Sequence, residues 1–228
     1  MKAQFSGLGV TNLRGSMGGT VASRNKSGDY LRRKGIPTNP QTEAQQLQRA
    51  LFSSLSTAWR TLTEPVREAW REAAVNFPVV DVFGNPVILN GNSLFLQLNA
   101  NLAKVGIARI DTPPLVSDVA NVIIDEVIVE AEGGVVSLTF DSVVPAGMAA
   151  LISATQTISA GRRNFKNLLR NIGTVTAGAT GLAVTTSYTN TFGAPITGGR
   201  VGFSVETVNI ETGQSSVQNY ISGIVTAP

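Results

Sequence analysis

The chain contains no cysteine and no histidine. Without thiols there is no disulfide framework and no thiolate metal site. Without imidazole, the commonest general base, the commonest zinc ligand and every Ser-His or Cys-His nucleophile pair are excluded. Carboxylate and lysine chemistry remain, so the missing histidine weighs against an enzyme without closing the question. Also missing is any apolar run near the ~20 residues that a membrane-spanning helix needs. The opening MKAQFSGLGV has no apolar core of the secretion-signal kind. The expectation is a soluble protein with no membrane partner, made and used in the cytosol or built into something assembled there. No GxGxxG between a strand and a helix, no GxxxxGK[ST] and no GxSxG is found. Gly15-Ser16-Met17-Gly18-Gly19 is glycine-rich but lacks the flanking strand and helix of a phosphate loop. No catalytic residue, no cofactor and no metal is therefore expected.

What is present is unevenly charged. Residues 1–40 hold seven Lys/Arg against one Asp, a local charge of about +6, whereas residues 41–110 come to about +1 and residues 111–228 to about −4. A basic tail on an acidic domain suggests an arm that binds an acidic surface, either nucleic acid or protein. A solvated, disordered tail is the plainer alternative.

Residues 1–40 read as an extended basic arm. Seven glycines break any helix, and Pro37 and Pro40 close the stretch. Its apolar residues (Phe5, Leu8, Val10, Leu13, Val21, Tyr30, Leu31, Ile36) have no sustained period, so the segment cannot offset its ordering entropy alone. The pattern suits a strand or lace that becomes ordered against a neighbouring subunit.

Residues 41–110 read as a helical region with a small hairpin. Thr42 and Gln45 form a capping box, and Leu47, Leu51, Leu55 and Trp59 make a stripe that predicts a helix over 42–61. Thr63 caps a second helix with Val66, Ala69, Trp70, Ala73 and Phe77 on its apolar face and Pro65 in its first turn. The two form a helical hairpin over Leu62-Thr63. The tryptophans read as core. A β-hairpin turning at Gly84-Asn85-Pro86 is predicted over 79–90, then a third helix capped by Asn92 or Ser93 and ended by Gly106. Residues 111–119, with Asp111-Thr112-Pro113-Pro114, read as a stiff linker and a domain boundary.

From residue 120 the pattern has period two. Candidate strands are Val122–Ala131, Val135–Asp141, Ala149–Gln156, Leu168–Thr176, Leu182–Thr191, Gly199–Ile210 and Ser216–Val225. Their regular spacing, punctuated by glycine turns, predicts an immunoglobulin- or fibronectin III-like β-sandwich over 120–228. The fold class expected overall is α+β and multidomain.

Two side-chain clusters stand out. Asp125, Glu126, Glu130 and Glu132 read as the solvated face of an edge strand, with Glu126, Glu130 and Glu132 on one side and Asp125 on the other; a weak calcium site is the alternative, opposed by a spacing unlike that of an EF-hand. Arg162-Arg163, with Lys166 and Arg170, and Arg32-Arg33-Lys34 in the arm are basic clusters able to meet phosphates or an acidic subunit. Aromatic partners beside them are sparse, only Tyr30 and Phe165, which weakens a single-strand nucleic-acid reading. The residues expected to make partner contacts are Arg24, Lys26, Tyr30, Leu31, Arg32, Arg33, Lys34, Arg162 and Arg163.

The chain resembles a group of bacteriophage and prophage structural proteins. The matching residues are Gly18 to Asn25 (GGTVASRN), Tyr30-Leu31-Arg32, Asn39-Pro40-Gln41-Thr42, the spaced set Trp59, Leu62-Thr63, Arg67 and Ala69-Trp70, then Gly91-Asn92, Leu98-Asn99-Ala100-Asn101 and Asp111-Thr112-Pro113-Pro114. In the C-terminal half they are Gly198-Gly199-Arg200-Val201 and Val208-Asn209-Ile210-Glu211-Thr212-Gly213. The resemblance implies membership of a virion, assembled in the host cytoplasm, and carries no catalytic residues. Within a virion, the expected role is an accessory capsid protein of the decoration or cement type, its arm and helices on the shell and its sandwich projecting. A head–tail connector or tail component is the competitor. The partners expected are capsid, portal or tail subunits and further copies of the chain, with nucleic-acid contact secondary. A host-glycan-binding module is a separate reading, opposed by the lack of a dense aromatic platform.

Overall fold

The computed structural model describes residues 2–4, 14–25, 28–36, 38–80, 86–131 and 135–227. Lys26, Pro37, the apolar arm residues Phe5, Leu8, Val10 and Leu13, the Gly84-Asn85 turn and Glu132 lie outside the described residues. Two compact units divide between Leu47 and Gln48.

In the first unit, four strands pair with one another: β1 (Lys2–Gln4), β2 (Gly15–Met17), β3 (Thr20–Asn25) and β4 (Gly28–Arg33). All pairings are antiparallel, in the order β1-β4-β3-β2. Of the glycines read as helix breakers, Gly18 and Gly19 form the β2–β3 turn, and Gly15 and Gly28 begin β2 and β4. Lys34 N–H carries the β3–β4 pairing one step further by donating to Gly19 C=O at 2.8 Å. After it, Thr42 begins α1 (Glu43–Thr61): its carbonyl accepts from Gln46 N–H at 3.0 Å, and its hydroxyl accepts from Gln45 N–H at 3.4 Å. The predicted stripe is shorter than drawn, because Leu47 is 63 % exposed while Leu55 is buried.

The second unit opens with a helical layer. The remainder of α1, α2 (Glu64–Ala73) and α3 (Gly91–Lys104) enclose Leu55, Ala58, Trp70, Phe77, Leu94, Phe95 and Leu98. Trp70 meets Phe95 edge-on with ring centroids 5.3 Å apart, and its indole N–H donates to Asp111 C=O at 2.8 Å. Short strands β5 (Val79–Val80) and β6 (Pro86–Val87) pair antiparallel, as the predicted hairpin requires. The cap of α3 is Asn90, not Asn92 or Ser93: the Asn90 Oδ1 accepts from Ser93 N–H at 2.7 Å.

Two antiparallel sheets follow. One holds β7 (Ile124–Val129), β8 (Val136–Phe140) and β11 (Gly181–Ala183) in the order β11-β8-β7. The other holds β9 (Met148–Ala154), β10 (Arg170–Thr176), β12 (Arg200–Asn209) and β13 (Asn219–Ile224) in the order β10-β9-β12-β13. Their inward residues share one core, with Val136, Leu138 and Phe140 from the first and Ile152, Ala154, Val201, Phe203 and Val205 from the second. Each such fully buried side chain contributes about 1.5–3 kcal/mol relative to exposure. The predicted strand Leu182–Thr191 is corrected: after β11 the chain forms α4 (Thr185–Phe192). Val184 and Tyr188, four apart and both buried, present a helical face to the core.

The Asp111–Pro114 segment, expected as a boundary, lies inside the second unit. It is held on both sides. Asn99 exchanges hydrogen bonds with Ile110, and Ser117 N–H donates to Gln214 Oε1 at 2.8 Å. The helical layer and the two sheets are thus one compact α+β body. Among the described residues no helix is long and apolar enough to cross a membrane.

Candidate assembly and binding surfaces

Strand pairing decides where the arm's basic residues stand. On β4 the side chains alternate, so Arg32 shares a face with Tyr30 while Arg33 shares the other with Leu31. Arg32, Arg33 and Lys34 are exposed, and the run of three cations is split between faces rather than gathered into one patch. Arg24 lies opposite Asp29 in the β3–β4 register. Tyr30 and Leu31 are half-buried. Leu31, Ala22, Thr20 and Met17 line a shallow hollow of about 220 Å³ on one side of the sheet, with Arg14 at its rim. Backbone groups of this sheet find partners in the ladder, but no described residue before Leu55 is buried.

The second basic cluster lies on the connection between β9 and β10. Arg162 and Arg163 are exposed there, and Arg162 Nε turns back to Asn164 C=O at 3.1 Å. Phe165, next in the chain, is buried against β12 at Gly202, where an added Cβ would come within 2.3 Å of the ring. That wedge clamps the connection to the sheet. Lys166 then places its Nζ 4.1 Å from the centre of the Tyr220 ring on β13. Arg200, at the start of β12, donates from Nε to Ala160 C=O at 2.9 Å and from Nη1 to Ser222 Oγ at 2.8 Å. A cleft of about 560 Å³ results, bounded by Arg163, Phe165, Lys166, Tyr220 and Ser222. Tyr220 and Arg200 were invisible as partners of this cluster in the sequence, since only strand pairing brings them to it.

Asp125 and Glu126 stand on β7, an edge strand of its sheet, and Glu130 follows its end. A register shift between Ile124 and Glu126 turns Asp125 outward as well, so Asp125 and Glu126 are both exposed, which corrects the predicted two-sided arrangement. Glu130 Oε2 is engaged by Val135 N–H at 3.0 Å. Among the described residues no three His, Cys, Asp or Glu side chains group closely enough to hold a metal ion.

Perturbed ionisations have structural causes. The Arg71 guanidinium, hydrogen-bonded to Glu64, holds that carboxyl below its ordinary range, with Arg67 adding to the effect. The Ile123 N–H does the same for Asp141. Burial pushes the Tyr188 hydroxyl up. The two carboxylates sit on exposed surface, and the tyrosine donates to Thr155 C=O at 3.1 Å inside the core. None of these groups sits with a second titratable group in a cleft, the arrangement acid–base chemistry needs.

No family model, no curated protein and no solved structure matches this chain.

Proposed function

We propose that the chain is a structural component of a bacteriophage virion, an accessory capsid protein anchored through its N-terminal unit. One observation carries this reading: the sheet of residues 2–33 satisfies its own ladder yet buries no described side chain. Ordering a backbone residue costs about 1–2 kcal/mol, and a sheet with no covered apolar face cannot offset that alone. A neighbouring subunit laid over Leu31, Ala22 and Met17 supplies the missing burial at about 25 cal/mol per Å². In a shell, the gain is repeated with every copy.

Charge narrows the partner. The first unit carries seven Lys/Arg against two carboxylates, which favours an acidic protein surface such as that of a capsid, portal or tail subunit. Nucleic acid is the weaker candidate, because Arg32 and Arg33 stand on opposite faces and form no single phosphate-tracking strip.

We read the β region as an immunoglobulin/fibronectin III-like sandwich. Its partition supports this: β7, β8 and β11 take the places of strands A, B and E, and β9, β12 and β13 those of C, F and G, with β10 as an added C′. The departure is α4, a helix on the crossover from β11 to β12.

The test is deletion of residues 1–40 in cells assembling the particle. The truncated chain is expected to keep its cooperative melting and to be missing from gradient-purified particles. Its incorporation at parental copy number overturns the proposal. A second readout uses the isolated full chain in dilute solution: trypsin is expected to cut at Arg32, Arg33 and Lys34 before any site in the second unit, and protection of those bonds counts against an arm that needs a partner.

A further inference from the structure

We infer that the cleft between the β9–β10 connection and β13 binds a carboxylate-bearing sugar. This stands independently of the virion reading. Two cations of the β9–β10 connection, Arg163 and Lys166, line the cleft, and a third, Arg200 on β12, stands behind its wall, bonded to Ser222. Among the described residues no carboxylate forms an ion pair with any of them. They gather on a unit with eleven Lys/Arg against thirteen Asp/Glu, so the local excess of positive charge is a property of this cleft and not of the surface around it. Like charges brought together without a counter-charge are relieved by an incoming anion.

The cations are also held in place. Arg200 is fixed by two hydrogen bonds, Lys166 rests on the Tyr220 ring, and the buried Phe165 ring anchors the loop that carries Arg163 and Lys166. Binding therefore costs little side-chain ordering. The walls decide the body attached to the anion. The exposed part of the Tyr220 ring is apolar surface for the C–H face of a sugar ring, and the Ser222 hydroxyl keeps a donor for a ring hydroxyl while accepting from Arg200. A volume of about 560 Å³ lies within the roughly 300–1,000 Å³ of small-ligand sites. A nucleic-acid strand would instead need successive exposed rings, and the second aromatic residue here, Phe165, is buried.

The experiment is calorimetric titration of the full chain with galacturonic acid, a galacturonate oligomer, the matching neutral galactose oligomer and a polyglutamate peptide. Expected is saturable binding of galacturonate with a Kd of about 1 mM or tighter, at least tenfold weaker binding of the galactose oligomer and of the peptide, and tenfold loss in both Arg163→Ala/Lys166→Ala and Tyr220→Ala. Tighter binding of the oligomer than the monomer assigns the site to a polymer unit, and equal binding to a free sugar; both support it. Lack of saturation by either galacturonate probe, peptide binding as tight as galacturonate, or unchanged affinity in the double variant overturns it. Thermal melting verifies the fold of each variant. If the double variant or Tyr220→Ala is unfolded, Lys166→Gln, which leaves Phe165 and Tyr220 in place, carries the comparison.

Discussion

Gly213 sits in the β12–β13 turn with φ +74°, against the backbone of α3, and its replacement by alanine measures how firmly the helical layer is joined to the sheets. An added Cβ would lie 2.4 Å from Leu98 O and 2.9 Å from Leu98 C, both backbone atoms that cannot swing aside. The left-handed conformation costs alanine about 1–2 kcal/mol. Forcing an extra carbon into a packed contact costs about 1–3 kcal/mol. Any retreat of the turn also stretches the 3.1 Å bond from Asn101 Nδ2 to Gly213 C=O, a contribution of about 1 kcal/mol. The expected loss is about 3–6 kcal/mol. Gly178→Ala is the control: its φ is +91° and nothing lies within 4 Å of the added carbon, so it should lose only the conformational part. The gain from a stiffer unfolded chain is common to both and cancels. Urea unfolding gives both values. Trp59 and Trp70 fluorescence reports the helical layer, and far-ultraviolet dichroism reports the whole chain. The two signals should shift together in Gly213→Ala. A Gly213→Ala variant no less stable than Gly178→Ala would refute the packing argument.

Asn99→Ala should cost about 2–3 kcal/mol, seen as a lower urea midpoint. Its buried amide donates to Phe95 C=O and Ile110 C=O and accepts from Ile110 N–H at 2.7 Å, and alanine orphans both Ile110 groups. A loss below about 0.5 kcal/mol would mean water replaces the side chain. Tyr188→Phe should cost about 1 kcal/mol near neutrality through the lost bond to Thr155 C=O. Its pH dependence has a defined sign: burial raises the Tyr188 pKa, so the stability due to the neutral hydroxyl is complete below the ordinary value of about 10 and is lost as pH rises through the raised value. The phenylalanine variant should therefore lose less stability than the parent in alkali above about pH 10, and parallel curves would contradict this.

The helices were legible because their apolar residues recur at helical spacing over enough turns, as Leu51, Leu55 and Trp59 show. The strands from Ile124 onward were legible for the corresponding reason at period two. The segment TTSYTNTF misled because β-branched residues favour strands on average. Its Thr189 and Thr191 hydroxyls bond back to the carbonyls of Thr185 and Ser187, an outlet available within a helix. The four-residue spacing of Val184, Tyr188 and Phe192 was the signal that marked the helix. The cap of α3 was misplaced because three polar candidates stand within four residues, and only the bond from Ser93 N–H to Asn90 selects one. The cleft at Tyr220 was unreadable for a different reason. Lys166 and Tyr220 meet only because β12 and β13 pair and Phe165 pins the connection to them, and no local pattern encodes that.

The position of β12 between β9 and β13 bears on how the protein must be synthesised. β9, the run MAALISA, carries no charge and no proline, and its second neighbour is encoded about 45 residues later. At about 5–20 residues per second the ribosome leaves that apolar strand open on one side for several seconds. In that interval it is a template for pairing with other nascent chains. Slower synthesis at reduced temperature lengthens the interval, and with it the exposure of β9 to neighbouring nascent chains.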